Sequence, residues 1–225
     1  MTKRTSASKQ PTETIQEQRK RMKSILRTLT VAYPDARVGL DYTNEFELLI
    51  ATILSAQCTD ERVNQVGATL FSKYKSPTDF LRVDIEELEQ DIRPTGFYKN
   101  KAKHIRSCCE MLVETFNSQV PQRLEDLIRL PGVGRKTANC VLSNCYSVPA
   151  ITVDTHVTRL SNLLGFVTTE NAERIEIHLM NITQEEQWNT LNLLFITHGR
   201  RTCIARRPKC AECSIAHLCP SVRLL

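Results

Sequence analysis

Apolar residues recur at three- and four-residue spacing along most of the chain, which predicts a run of amphipathic helices. From Ile15 to Leu29 the apolar positions Met22, Ile25, Leu26 and Leu29 sit among Arg19, Lys20, Arg21, Lys23 and Arg27, giving a helix with a basic face that is read as solvated. Glu45 to Gln57 is apolar on most of its circumference through Phe46, Leu48, Leu49, Ile50, Ile53 and Leu54, and reads as a central helix. The same period marks helices at 63–74, 78–88, 101–116, 124–129, 135–145, 157–164, 172–180 and 185–198. Breakers between them include Lys75-Ser76-Pro77, Arg93-Pro94-Thr95-Gly96 and Ser118 to Pro121. Ala150 to Val153 is β-like, but a single such run has no partner strand. The expected fold class is all-α, with several helices sharing a core.

Composition narrows this picture. Residues 1–14 are polar and aperiodic and read as a flexible basic tail. With 225 residues and 41% hydrophobic content the chain can build one or two cores. A net charge of +5 hints at a polyanionic partner without naming one. Neither a signal peptide nor an apolar run of membrane-spanning length is visible, and no dimerisation segment stands out. The expectation is a cytoplasmic monomer without a membrane partner, in a reducing compartment where disulfides are disfavoured.

Candidate chemistry concentrates in three places. Leu130-Pro131-Gly132-Val133-Gly134-Arg135-Lys136-Thr137-Ala138 joins the helix face of Leu124, Leu127, Ile128 and Leu130 to that of Ala138, Val141 and Leu142. This is a helix-hairpin-helix pattern. Its glycines tolerate positive φ, and its exposed N–H groups at a helix start suit a phosphate without base preference. Lys136 puts a primary amine in that helix's first turn, where it is either a nucleophile or a phosphate contact. Asp154, 18 residues on, stands where an N-cap precedes the periodic segment Val157, Leu160, Leu163, Leu164.

Nine cysteines are present. Cys58, Cys108, Cys109, Cys140 and Cys145 are scattered in apolar segments and read as free thiols. Cys203, Cys210, Cys213 and Cys219, separated by six, two and five residues, form one soft ligand set, and spacing alone allows either zinc or a [4Fe–4S] cluster. Arg200, Arg201, Arg206, Arg207 and Lys209 make this loop basic.

These motifs, with Leu49 to Asp60, Gly96-Phe97-Tyr98-Lys99-Asn100-Lys101-Ala102 and Val153-Asp154-Thr155-His156-Val157, occur in an order that resembles the endonuclease III family of helix-hairpin-helix DNA glycosylases, from about Glu45 to Pro220. The resemblance implies a six-helix domain at 38–148 and a cluster domain formed by 15–37 and 149–225. It implies a [4Fe–4S] cluster on the four terminal cysteines. For Lys136 it implies attack on the sugar C1′ and a Schiff base that permits β-elimination, and for Asp154 the catalytic carboxylate. Gln57 would fill the gap left by a flipped nucleotide and Phe97 would wedge the opposite strand. Leu130, Pro131, Gly132, Val133, Gly134, Arg135, His156, Arg206, Arg207 and Lys209 would contact or border double-stranded DNA. The implied activity is removal of oxidised pyrimidines followed by strand cleavage 3′ to the abasic site, in base excision repair. The rivals are a mismatch glycosylase of the same superfamily, which usually lacks the lysine, and a non-catalytic DNA-binding protein, which needs neither Lys136 nor Asp154. The end of the chain shortly after Cys219 is read as favouring the bifunctional enzyme over the adenine-removing one. A cysteine at Cys58, where a small residue is common, and the longer basic tail depart from the family pattern.

Overall fold

In the computed structural model, residues 13–222 are described, and among them every regular element is helical. Residues 1–12 of the expected tail lie outside them, but its last two residues belong to the fold. Thr14 caps α1 (Ile15–Ala32) in a reciprocal box with Glu17, and Glu13 binds Arg21 at 2.8 Å. Such a cap is worth about 1 kcal/mol.

Caps set most of the later helix starts. Asn44 opens α2 (Glu45–Leu54), Thr59 opens α3 (Asp60–Lys73), and Ser76 with Asp79 opens α4 (Pro77–Arg82), whose proline occupies the first turn. Then come α5 (Ile85–Ile92), α6 (Tyr98–Phe116), the single turn α7 (Leu124–Leu127) and α8 (Arg135–Cys145). The chain continues through α9 (Thr155–Leu163), α10 (Ala172–Ile182) and α11 (Trp188–Arg201). Two expected boundaries move inward, and the helix expected over 78–88 breaks at Val83 and Asp84 into α4 and α5. α2 stops at Leu54 rather than Gln57, and α7 covers one turn of the segment expected to be helical to Arg129.

Burial divides these helices between two cores. One runs from Leu40 to Leu142 and centres on α2, with Leu48, Leu49, Ile50 and Leu54 fully buried against α6 and α8. Truncating any of these to alanine would cost about 2–5 kcal/mol. The other joins Met22, Ile25, Leu26 and Leu29 of α1 to residues from Ile151 to Ile215, with Phe195 of α11 at its centre.

The β-like run Ala150 to Val153 crosses between the cores. Its backbone is satisfied by side-chain amides in place of a partner strand. Asn189 Oδ1 accepts from the Ala150 N–H at 3.0 Å, and Asn192 Oδ1 from the Thr152 N–H at 2.9 Å. Asn192 Nδ2 donates to the Ala150 carbonyl at 2.8 Å and Asn139 Nδ2 to the Ile151 carbonyl at 2.9 Å. Three asparagines thus fix the extended segment that delivers Asp154.

Candidate active site and iron–sulfur centre

The hairpin is anchored by Leu130 and Val133, which are 2% and 6% exposed, and closed by the Val133 N–H donating to the Leu130 carbonyl at 3.0 Å. Its two glycines serve different ends. Gly132 has φ of +79°, and a Cβ there would lie 2.8 Å from the His104 Cβ, so neither the conformation nor the space admits a side chain. Gly134 is extended, with φ of −90°, and no atom lies within 4 Å of where its Cβ would be. It forms the N-cap of α8 without any side-chain cap, so the first N–H groups of the helix face open space. Lys136 lies exposed in that first turn.

Arg135 is drawn the other way. Its guanidinium pairs with both oxygens of Glu176 at 2.8 and 2.9 Å, and the nearly buried Glu176 also accepts from Asn139 at 3.3 Å. This pair ties α8 to α10, and therefore one core to the other.

Asp154 is the N-cap of α9, its Oδ1 accepting from the Val157 N–H at 2.8 Å. Asp154 and Lys136 line one cavity of about 100 Å³, together with Thr52, Asp60, Cys140 and Arg200. Asp60 and Arg200, to which no sequence motif gave a pocket role, are paired at 2.6 Å. They sit so close to Gly39 that a Cβ there would meet the Asp60 carboxylate at 2.3 Å. His156 is not among the residues that line this cavity; it is half-buried, with Nδ1 3.4 Å from Arg159 Nη2 and close against Gly199. Burial and then the neighbouring Arg159 and Arg200 push its pKa down against the pull of Asp154.

Gln57 and Phe97 share an unusual geometry. Both are exposed, both are non-glycine residues in the left-handed region with φ of 52° and 49°, and Phe97, at 63% exposed, takes no place in either core. Strain of this kind costs about 1–3 kcal/mol and collects at functional sites.

The four terminal cysteines surround a second cavity, of about 110 Å³, floored by Leu160, Leu163, Leu164 and Ile215. Among the described residues no three His, Cys, Asp or Glu converge as a single metal ion requires. Four thiols lining one cavity supply the soft donor set that a [4Fe–4S] cluster takes. Burial raises the pKa of Cys203, Cys213 and Cys219, and the other thiols of the set raise it further, so the free thiols gain from cationic iron beside them. Around the set, His198 Nε2 lies 3.7 Å from Cys213 Sγ while Tyr33 holds its Nδ1 at 2.8 Å, and Arg159 donates to the Cys203 carbonyl at 2.7 Å. Arg206, Arg207 and Lys209 are exposed, whereas Arg200 and Arg201 are engaged by Asp60 and Asp35. Of the other cysteines, Cys108 and Cys109 are fully buried, and burial pushes the Cys108 thiol up to about 12.

Comparison with known proteins agrees with this geometry. The model of the HhH-GPD superfamily of base excision DNA repair proteins matches residues 50–185, and that of the iron–sulfur binding domain of endonuclease III matches residues 203–219. Endonuclease III of Synechocystis sp. is 48% identical over 91% of this chain and 94% of its own, and that of Bacillus subtilis is 47% identical over 83% and 86%. A solved structure of a trapped endonuclease III–DNA covalent intermediate superposes with a TM-score of 0.87 at 46% identity, covering 90% of this chain and 96% of that one. No helix among the described residues is long and apolar enough to cross a membrane. The protein is thus a base excision repair enzyme, a DNA N-glycosylase with abasic-site lyase activity that binds DNA and carries a [4Fe–4S] cluster, and it belongs to the endonuclease III family.

Proposed function

We propose that this enzyme, acting in the cytoplasm as a monomer, excises oxidised pyrimidines from double-stranded DNA and then cleaves the strand 3′ to the resulting abasic site. The single observation that supports this reading is the shared cavity of Lys136 and Asp154, which lie 18 residues apart in sequence and at the starts of different helices. In this reading the Lys136 amine forms a bond to C1′ as the glycosidic bond breaks and the departing base takes up a proton. Loss of the Lys136 proton and ring opening give a Schiff base. Removal of a C2′ proton then expels the 3′ phosphate. Asp154, with Oδ1 fixed by the helix start, balances positive charge on the sugar and relays the protons. The open N–H groups at Gly134, Arg206, Arg207 and Lys209 hold backbone phosphates, while Gln57 fills the space left by the extruded nucleotide and Phe97 wedges the opposite strand. The chain divides accordingly into a domain at 38–148 and a cluster domain built from 15–37 with 149–225. The cluster braces the basic loop and supplies no step of the reaction.

Borohydride trapping tests the assignment on duplexes carrying one thymine glycol or one abasic site. Adducts on both with the native enzyme, and neither with Lys136→Ala, are expected. An adduct on the abasic duplex alone moves the substrate to other damaged or mismatched bases, and an adduct retained by Lys136→Ala overturns the nucleophile.

A further inference from the structure

Lys101, in the first turns of α6, is only 4% exposed, and among the described residues no carboxylate lies within ion-pair distance of it. Burying a lysine amine without an acidic partner is costly, and methionine would fill the same space without that cost. Its Nζ donates instead to two backbone carbonyls, Leu54 at 2.7 Å and Thr95 at 2.8 Å. Leu54 is the last residue of α2, and Thr95 closes the 3₁₀ turn Arg93–Thr95. Both carbonyls therefore stand at C-terminal ends and lack a helical partner, and that of Leu54 carries the negative end of the α2 dipole.

Each carbonyl stands just ahead of an exposed residue held in left-handed backbone. Gln57 comes three residues after Leu54, and Phe97 comes two after Thr95. The Lys101 N–H also donates to the Phe97 carbonyl at 3.1 Å. One side chain thus joins the roots of two loops that are otherwise forty residues apart in sequence.

We propose that Lys101 is a positioning residue that clamps the Gln57 and Phe97 loops at a fixed separation, so that both enter the DNA duplex as one rigid unit. The clamp preorganises the strained backbone before DNA arrives, and the ordering cost is met in folding rather than in extrusion of the nucleotide. Removing it leaves chemistry at Lys136 intact while weakening the step that holds the nucleotide outside the stack. This inference rests on the insertion role given above to Gln57 and Phe97.

The test uses the cluster-loaded enzyme and its Lys101→Met, Lys101→Arg, Gln57→Ala and Phe97→Ala variants, with single-turnover excision on a thymine glycol duplex. A duplex with 2-aminopurine opposite the lesion reports unstacking. Lys101→Met is expected to slow excision about 10- to 100-fold and to lose the fluorescence rise, with Lys101→Arg restoring much of both. Adding Phe97→Ala to Lys101→Met is expected to cost little more, because an unclamped wedge is already ineffective. Full additivity of the two, or a native fluorescence rise in Lys101→Met, overturns the clamp. Should Lys101→Met fail to fold, Lys101→Gln, one bond too short to bridge both carbonyls, replaces it alone and combined with Phe97→Ala, and full additivity in that pair overturns the clamp equally. If Gln57→Ala and Phe97→Ala leave excision and fluorescence unchanged, the insertion reading itself falls, and the clamp with it. If they impair both while Lys101→Met does not, only the clamp falls.

Discussion

The two helix starts that deliver the candidate chemistry, at α8 and α9, are finished in opposite ways. At α9 the carboxylate of Asp154 turns back onto the Val157 N–H, so the helix satisfies one of its own orphan donors and the carboxylate is oriented in return. At α8 Gly134 brings no side chain, and the donors remain open beside Lys136. The closed start fixes a group that must keep one orientation. The open start leaves room for an anion that arrives from outside. A helix terminus is thus used either as a mount or as a receptor, and the N-cap residue decides which.

Changing the closed start separates its two duties. Asp154→Asn retains a capping oxygen but loses the charge, and base excision on a lesion duplex is expected to slow by about 10²- to 10⁴-fold with little change in melting temperature. Asp154→Ala is expected to lose activity equally and in addition about 1 kcal/mol, or about 2–4 °C in Tm, by calorimetry. A loss of stability in Asp154→Asn as large as in Asp154→Ala would mean that the charge, rather than the cap, holds the helix.

Closing the open start is the complementary experiment. Because Gly134 is extended and unobstructed, Gly134→Asp can adopt the cap that Asp154 makes. Its stability is expected to hold or rise slightly while affinity for an undamaged duplex falls roughly 3- to 30-fold, as an anion on the helix start repels phosphate. Undiminished binding would place the phosphate elsewhere. Gly132→Ala sharpens the contrast with the smallest direct effect on DNA. The positive φ and the close His104 predict a loss of about 1–3 kcal/mol in stability, seen in urea unfolding, with any affinity loss following from the distorted turn.

Helical periodicity was sufficient to recover the helices because most of them cover a core with one apolar face. It misjudged α2, where apolar character persists through Ala56 although the chain already turns at Ser55, the 78–88 segment, where Val83 and Asp84 break one expected helix into two, and α7, where tertiary packing admits one turn. The cap at Asp154, the hairpin and the four-cysteine set are all written in short-range spacing, and they were legible. The partners of Arg135, Arg200 and Arg201 were not, since Glu176, Asp60 and Asp35 lie far away in sequence and only folding brings them near. Lys101 was invisible for a deeper reason. Its acceptors are backbone carbonyls, which every residue has, so no residue type announces the site. The asparagines that hold the Ala150 to Val153 run are hidden in the same way, on helices read only for their apolar faces.

The placement of α1 carries a kinetic consequence. Met22, Ile25, Leu26 and Leu29 are synthesised well ahead of most of their packing partners, which lie from Ile151 to Ile215. The whole of the other core is synthesised in between. At about 5–20 residues per second, α1 waits on the order of ten seconds with its apolar stripe uncovered. The core from Leu40 to Leu142 can collapse during that interval, whereas the core that holds the iron must await residues as late as Ile215. Iron insertion thus follows synthesis of the other core, and a nascent chain stalled before Cys203 would expose α1 as a chaperone-binding segment.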